Sequence, residues 1–163
     1  MKTIKVTSTA FVQDQRIPKK YTGEGEDVSP PLAWSDVPEG TKELALICDD
    51  PDAPTDEPWV HWVIYKIPAN ATGLFEHIPR EARLKEEGGM LQGQNSWSTP
   101  GKPSIGYRGP MPPKGDGDHR YQFTLYALGG KLVVQPGITK KQLLGEMEDH
   151  ILAKGQLVGI YSR

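Results

Sequence analysis

The chain has 163 residues, with 19 Lys and Arg against 21 Asp and Glu and a formal net charge of −2. No basic run is long enough to follow a phosphate backbone, which sets nucleic acid aside as a partner, and no stretch approaches the roughly 18 apolar residues of a membrane span. The length suits a single domain over 1–163.

Glycine (18) and proline (15) together make about a fifth of the chain. They are distributed between apolar runs, which predicts many turns and long loops rather than disorder. The single Cys48 excludes an internal disulfide and fits a reducing compartment. The first seven residues, MKTIKVT, lack a signal-peptide core. A cytoplasmic location is expected.

Residues 4–7 alternate and open a strand. Residues 28–34, VSPPLAW, form a proline-stiffened segment packed on the sheet. Residues 43–48, ELALIC, read as a strand that stops before Pro51, which has no N–H for a ladder. Residues 59–67, WVHWVIYKI, are apolar on both faces, as in a central strand. Residues 79–85 predict one or two helical turns, and 91–102 a long polar surface loop. Residues 106–118 form a loop stiffened by Pro110, Pro112 and Pro113 and bent by its glycines. It leads into 121–126, YQFTLY, an aromatic strand. The one convincing helix is 139–153. Thr139 and Gln142 have capping-box spacing, and Leu143, Leu144, Met147, Ile151 and Leu152 form an apolar stripe that Gly155 ends. A short strand over 156–161 follows. The balance is mainly β with one or two peripheral helices.

Three clusters hold chemistry-bearing side chains at strand ends. Asp50 falls on the face of Leu44, Leu46 and Cys48, where a carboxylate is costly unless paired; the alternative is a solvated turn. His61 interrupts an apolar run, as a ligand-binding group or as a satisfied core residue. His119 and Tyr121 share a strand face, at a site or as part of the core, and Arg120 points the other way. Converged, these groups would suit an anion, because pairing with a carboxylate raises a histidine's pKa. Asp50, Asp52 and Asp56 have calcium-like spacing, but the twelfth loop position is His61 rather than Glu. The four histidines lack helical metal-pair spacing. There is no nucleophile elbow and no phosphate loop. Cys48 lies in an apolar strand, where a thiolate is disfavoured. His77 reads as a structural loop residue and His150 as part of the helix. No catalytic residue, metal or cofactor is assigned.

The segments SPPLAW (29–34), DPDAP (50–54), WVHWV (59–63), Gly109-Pro110 and PPKG (112–115) through HRYQF (119–123) occur in one order across nearly the whole chain. In these it resembles the phosphatidylethanolamine-binding proteins, or Raf-kinase-inhibitor-like proteins, most closely their bacterial and archaeal branch. The resemblance implies a Greek-key antiparallel β-sandwich with peripheral helices. It also implies a small pocket for phosphate, acetate or a phospho-headgroup. By position, Asp50, His61, His119 and Tyr121 match the pocket, and Asp52, Gly109 and Pro110 its rim. Ala53–Pro54 and Glu57–Pro58 are candidate cis bonds. The animal relatives' C-terminal helix has no counterpart after Tyr161, which implies a more open mouth or one closed by a second subunit. The branch implies a homodimer.

The favoured function is a small-anion binding protein that modulates a protein partner such as a protease or kinase. The alternatives are a serine protease inhibitor acting through an exposed loop at 90–103, and an acid–base enzyme acting on a phosphate ester. Two or three charge-assisted hydrogen bonds give roughly 4–6 kcal/mol, hence affinities from millimolar to tens of micromolar. The target is therefore an anionic group on a larger molecule. If both histidines supply positive charge, binding weakens as pH rises past their pKa values.

Overall fold

The computed structural model describes residues 2–163, Glu87 by its backbone only. These residues form eleven strands and one α-helix. The strands are β1 (Lys2–Thr3), β2 (Lys5–Thr7), β3 (Gln15–Arg16), β4 (Leu32–Ser35), β5 (Glu43–Asp50), β6 (Trp59–Pro68), β7 (Gly73–Leu74), β8 (Arg83–Leu84), β9 (Met90–Gln92), β10 (His119–Leu128) and β11 (Ile151–Tyr161). Helix α1 (Lys140–Met147) lies between the last two strands. The larger sheet runs β1-β11-β10-β5-β6-β9-β8, with β3 also beside β11, and the smaller runs β2-β4-β7. The central pairings are antiparallel, while β1 and β3 lie parallel to β11. This is the mainly β, Greek-key sandwich expected.

Alternation explains why β5 and β6 lie at the centre. Leu44, Leu46 and Cys48 of β5 face the inter-sheet core with Trp34, Trp62 and Phe123. Ala45 and Ile47 face the other way, into a second core with Val63, Tyr65, Leu143 and Met147, where α1 lies on the sheet. Each fully buried leucine or isoleucine contributes about 1.5–3 kcal/mol. A strand buried on both faces must be apolar at nearly every position, as these are.

The cap of α1 forms as expected: Thr139 Oγ1 accepts from Gln142 N at 3.2 Å, and Gln142 Oε1 accepts from Thr139 N at 2.9 Å. The helix does not reach 153. It stops at Met147, and β11 begins at Ile151. From there the chain alternates inward and outward and pairs with β10 from Leu128↔Ile151 to His119↔Tyr161. That ladder outweighs the two apolar residues that would continue the helical stripe. Gly155 therefore ends no helix. It lies within the strand, where a Cβ would sit 1.9 Å from the Ile4 carbonyl oxygen. His150 likewise belongs to the turn after the helix.

Three further expectations are corrected. Residues 79–85 contain no α-turn; they lead into β8 and a short 3-10 turn, Lys85–Glu87. The polar loop expected at 91–102 begins as β9, which pairs with both β6 and β8. Gln92 is buried there because its side chain is fully engaged. It accepts from Trp62 Nε1 and donates to the carbonyls of Pro79 and Glu81. No cis peptide occurs among the described residues, so Ala53–Pro54 and Glu57–Pro58 are both trans.

Candidate functional site

Three adjacent strand ends build one hollow. In register, Trp59 of β6 lies across from Asp50 of β5, and Gln122 of β10 across from Asp49. A bulge between Cys48 and Asp49 shifts the β5–β6 pairing at this end, as bulges do where side chains are re-aimed. Asp50, His61, His119 and Tyr121 thereby line one space of about 270 Å³. Its mouth is apolar: Pro54, Trp59, Trp97, Met111, Pro112 and Pro113.

Asp50 is anchored on both oxygens. Oδ1 accepts from Asp52 N at 2.8 Å and Oδ2 from His119 Nδ1 at 2.7 Å. Burial pushes its carboxyl up, and the bonds from His119 and the Asp52 N–H oppose this. His119 is only 2% exposed. Its Nε2 donates to Asp116 Oδ2 at 2.6 Å. With both carboxyls ionised, each ring nitrogen donates, and the arrangement favours the imidazolium. Burial alone would lower its pKa, but the pairings with Asp50 and Asp116 outweigh burial and raise it.

His61 takes the opposite state, contrary to the expectation of two charged rings. Its Nδ1 donates to the Arg108 carbonyl at 2.6 Å. No carboxylate bonds it, and burial takes its pKa down to about 4. The ring is neutral near pH 7. Because a carbonyl only accepts, Nδ1 carries the proton and Nε2 is a bare acceptor. Nε2 has no partner among the described residues. The ring meets Trp97 and Tyr121 edge-on, each at 5.1 Å between centroids.

The Tyr121 hydroxyl also lacks a partner among the described residues. Burial first, then the Asp50 charge, raises its pKa, so it stays protonated and able to donate. Cys48, behind it, has its thiol pushed well up by burial and takes no part in polar chemistry here.

The expected rim is placed differently. Asp52 is taken by Arg120, whose backbone N, Nε and NH2 all donate to it at 2.9 Å. The hydrogen bond from Arg120, opposed by partial burial, holds Asp52 below the usual carboxylate range. Gly109 and Pro110 do not reach the hollow. Gly109 N donates to Asp27 Oδ1, and a Cβ at Gly109 would lie 2.2 Å from the Tyr21 carbonyl oxygen. Pro110 O accepts from Gly23 N. Residues 111–113 form the wall instead. Sequence reasoning missed Trp97 and Asp116. The one available signal for Asp116 was its position three residues before His119, between two glycines.

No group of three or more His, Cys, Asp or Glu among the described residues is arranged to hold a metal ion. No helix among them is long and apolar enough to cross a membrane.

The sequence model of the family described as phosphatidylethanolamine-binding protein matches residues 7–162. A UPF0098 protein of Methanothermobacter thermautotrophicus is 49% identical over 94% of this chain and 95% of its own length. Among solved structures, Escherichia coli YbcL, described as a member of the mammalian family, is 33% identical, with a TM-score of 0.89 over 99% of both chains. The Chlamydia trachomatis homologue CT736 is 38% identical, with a TM-score of 0.85 over 100% of this chain and 99% of its own.

Proposed function

The chain belongs to the phosphatidylethanolamine-binding protein family, and we propose that it is a binding module for a phosphate- or carboxylate-bearing group carried on a larger molecule. One observation carries the reading. Tyr121 and His61 line an apolar-mouthed hollow, and neither Tyr121 Oη nor His61 Nε2 has a hydrogen bond among the described residues. Tyr121 supplies a donor and His61 an acceptor. An oxyacid that retains one proton satisfies both, with its O–H donating to His61 and another oxygen accepting from Tyr121.

Magnitudes favour a larger carrier. Two hydrogen bonds, at most one of them charge-assisted from the ligand side, give about 3–4 kcal/mol, hence millimolar affinity for a free anion. Trp59, Trp97, Met111 and the prolines offer the remaining contact area to whatever bears the group. Binding is favoured over catalysis because both nitrogens of His119 are engaged. The Asp50–His119 pair then acts as a fixed charge rather than a base.

The pH dependence has a different source from imidazolium titration. The last P–OH proton of a phosphomonoester such as phenyl phosphate leaves at about pH 6. Above that the ester has no O–H to donate to His61, and its affinity falls as pH rises. Calorimetric titration of inorganic phosphate and phenyl phosphate tests the reading. The wild type is expected to bind phenyl phosphate more tightly, and Tyr121→Phe to weaken both about tenfold. Equal heats in wild type and Tyr121→Phe would remove Tyr121 from the site.

A further inference from the structure

The hollow has an imidazolium at its edge with no N–H to offer. His119 gives Nδ1 to Asp50 and Nε2 to Asp116, at 2.7 and 2.6 Å. The two acceptors differ in how firmly they are held. Asp50 has a side chain 4% exposed and ends a central strand. Asp116 has a side chain 45% exposed. It sits between Gly115 and Gly117, both in the left-handed region at φ 77°, with no atom within 4 Å of where a Cβ would lie at either.

The backbone of that turn is tied down. Gly115 N donates to Arg163 O at 3.2 Å, and Asp116 N to Pro113 O at 3.3 Å. The carboxylate can thus leave His119 by rotating its own side chain into open space while the turn stays in place. Pro112 and Pro113, just before it, form a wall of the hollow. Asp116 is not itself a lining residue, but it holds the Nε2 of His119, which is one.

Charge gives the same picture. Asp50 and Asp116 carry two negative charges, His119 one positive, and His61 none near pH 7. Arg120 neutralises Asp52. These side chains sum to one negative charge, and the Arg108 guanidinium, 5.1 Å from the centre of the Trp97 ring that lines the hollow, offsets it. Loss of Asp116 from His119 leaves the local balance positive and exposes one charged N–H.

From this arrangement, which rests on the reading of the hollow as an oxyacid site, we infer that Asp116 is a resident carboxylate standing in for a ligand oxygen. An incoming phosphate or carboxylate displaces it from His119 Nε2, and this exchange sets the affinity and ligand class of the hollow. The exchange trades one charge-assisted bond for another, so a small anion gains little from reaching His119. A ligand with an apolar or aromatic body gains from Trp59, Trp97 and Pro54 and can complete the exchange. The favoured class is thus an oxyacid with an attached apolar body, and small inorganic anions bind only weakly.

Asp116→Ala and Asp116→Asn, titrated with inorganic phosphate and phenyl phosphate by calorimetry, test this. Asp116→Ala is expected to bind phosphate at least tenfold tighter than the wild type and to narrow the preference for phenyl phosphate. Asp116→Asn keeps a neutral acceptor and should fall between the two. In nitrogen-detected NMR of the histidine rings, His119 Nε2 should shift on phosphate addition to the alanine variant. If wild type and Asp116→Ala bind phosphate equally, the displacement is overturned and the oxyacid reading stands. If neither binds phosphate or phenyl phosphate, the oxyacid reading fails, and the inference with it.

Discussion

Strand β5 carries a buried carboxylate at each end, and the two do different things. Glu43 opens the strand and Asp50 closes it, and both are at most 5% exposed. Glu43 is sealed: Oε1 accepts from Leu132 N at 2.7 Å, and Oε2 pairs with Lys66 at 3.1 Å. Lys66 Nζ also donates to Leu132 O. The cluster pins the 132 segment to the sheet end. Asp50 is equally well bonded, but its neighbours are not: a free hydroxyl and a bare imidazole nitrogen lie beside it with space in front of them. A buried charge alone therefore does not mark a site. Unsatisfied neighbours and room for a ligand do.

The largest effect that would sharpen this contrast is expected from Asp50→Ala. It strips the buried His119 of one acceptor and Asp52 N of another, at a cost of about 3–5 kcal/mol in urea unfolding. A loss below 1 kcal/mol would mean that the pair is dispensable. His61 gives the next effect. Its folded pKa of about 4 lies below the unfolded value of about 6.5. As pH falls from 6.5 towards 4, the unfolded chain takes up a proton that the native ring refuses. Stability should drop by up to about 3 kcal/mol over that window. His61→Phe should be weaker at pH 7 yet show a shallower acid slope, and an unchanged slope would contradict the neutral buried ring.

At the sealed end, Glu43→Ala leaves Leu132 N without its partner. It should cost about 1–3 kcal/mol while phosphate heats stay the same. Altered heats would link two ends that the comparison treats as separate. The smallest effect should come from two tyrosines. The Tyr107 hydroxyl donates to Tyr21 O at 2.6 Å in a buried setting, so Tyr107→Phe should cost about 1 kcal/mol. Tyr121→Phe should leave stability within about 0.5 kcal/mol and alter only binding, because its hydroxyl has no partner among the described residues. Equal losses for the two would place the Tyr121 hydroxyl in the fold instead of the hollow.

What could be read from the sequence follows from period. Alternation placed Asp50 on the inward face of β5, and His119 and Tyr121 together on β10, because a strand reverses its side chains at each residue. The cap of α1 was readable because it is made by two side chains three residues apart. The length of α1 was not, since Ile151 and Leu152 extend a helical stripe as well as they begin a strand. Only pairing with β10 decides between them. Gln92 was misplaced for a similar reason: its polarity argued for a surface loop, and three partners distant in sequence make its burial favourable. The protonation state of His61 depends on the Arg108 carbonyl, 47 residues away, and no local pattern encodes that contact.

The parallel placement of the first strand has a consequence for folding. Lys2 and Thr3 lie beside Ala153 and Lys154, so this edge joins two segments far apart in sequence. His119 likewise waits for Tyr161 across from it. Contacts this distant in sequence are slow to close, because the intervening chain must first be brought together. Pairing β5 with β6 joins near neighbours in the chain and can form early. β1 and β3 join β11 only after the long intervening chain is in place, so the edge of the sandwich is the last part to lock.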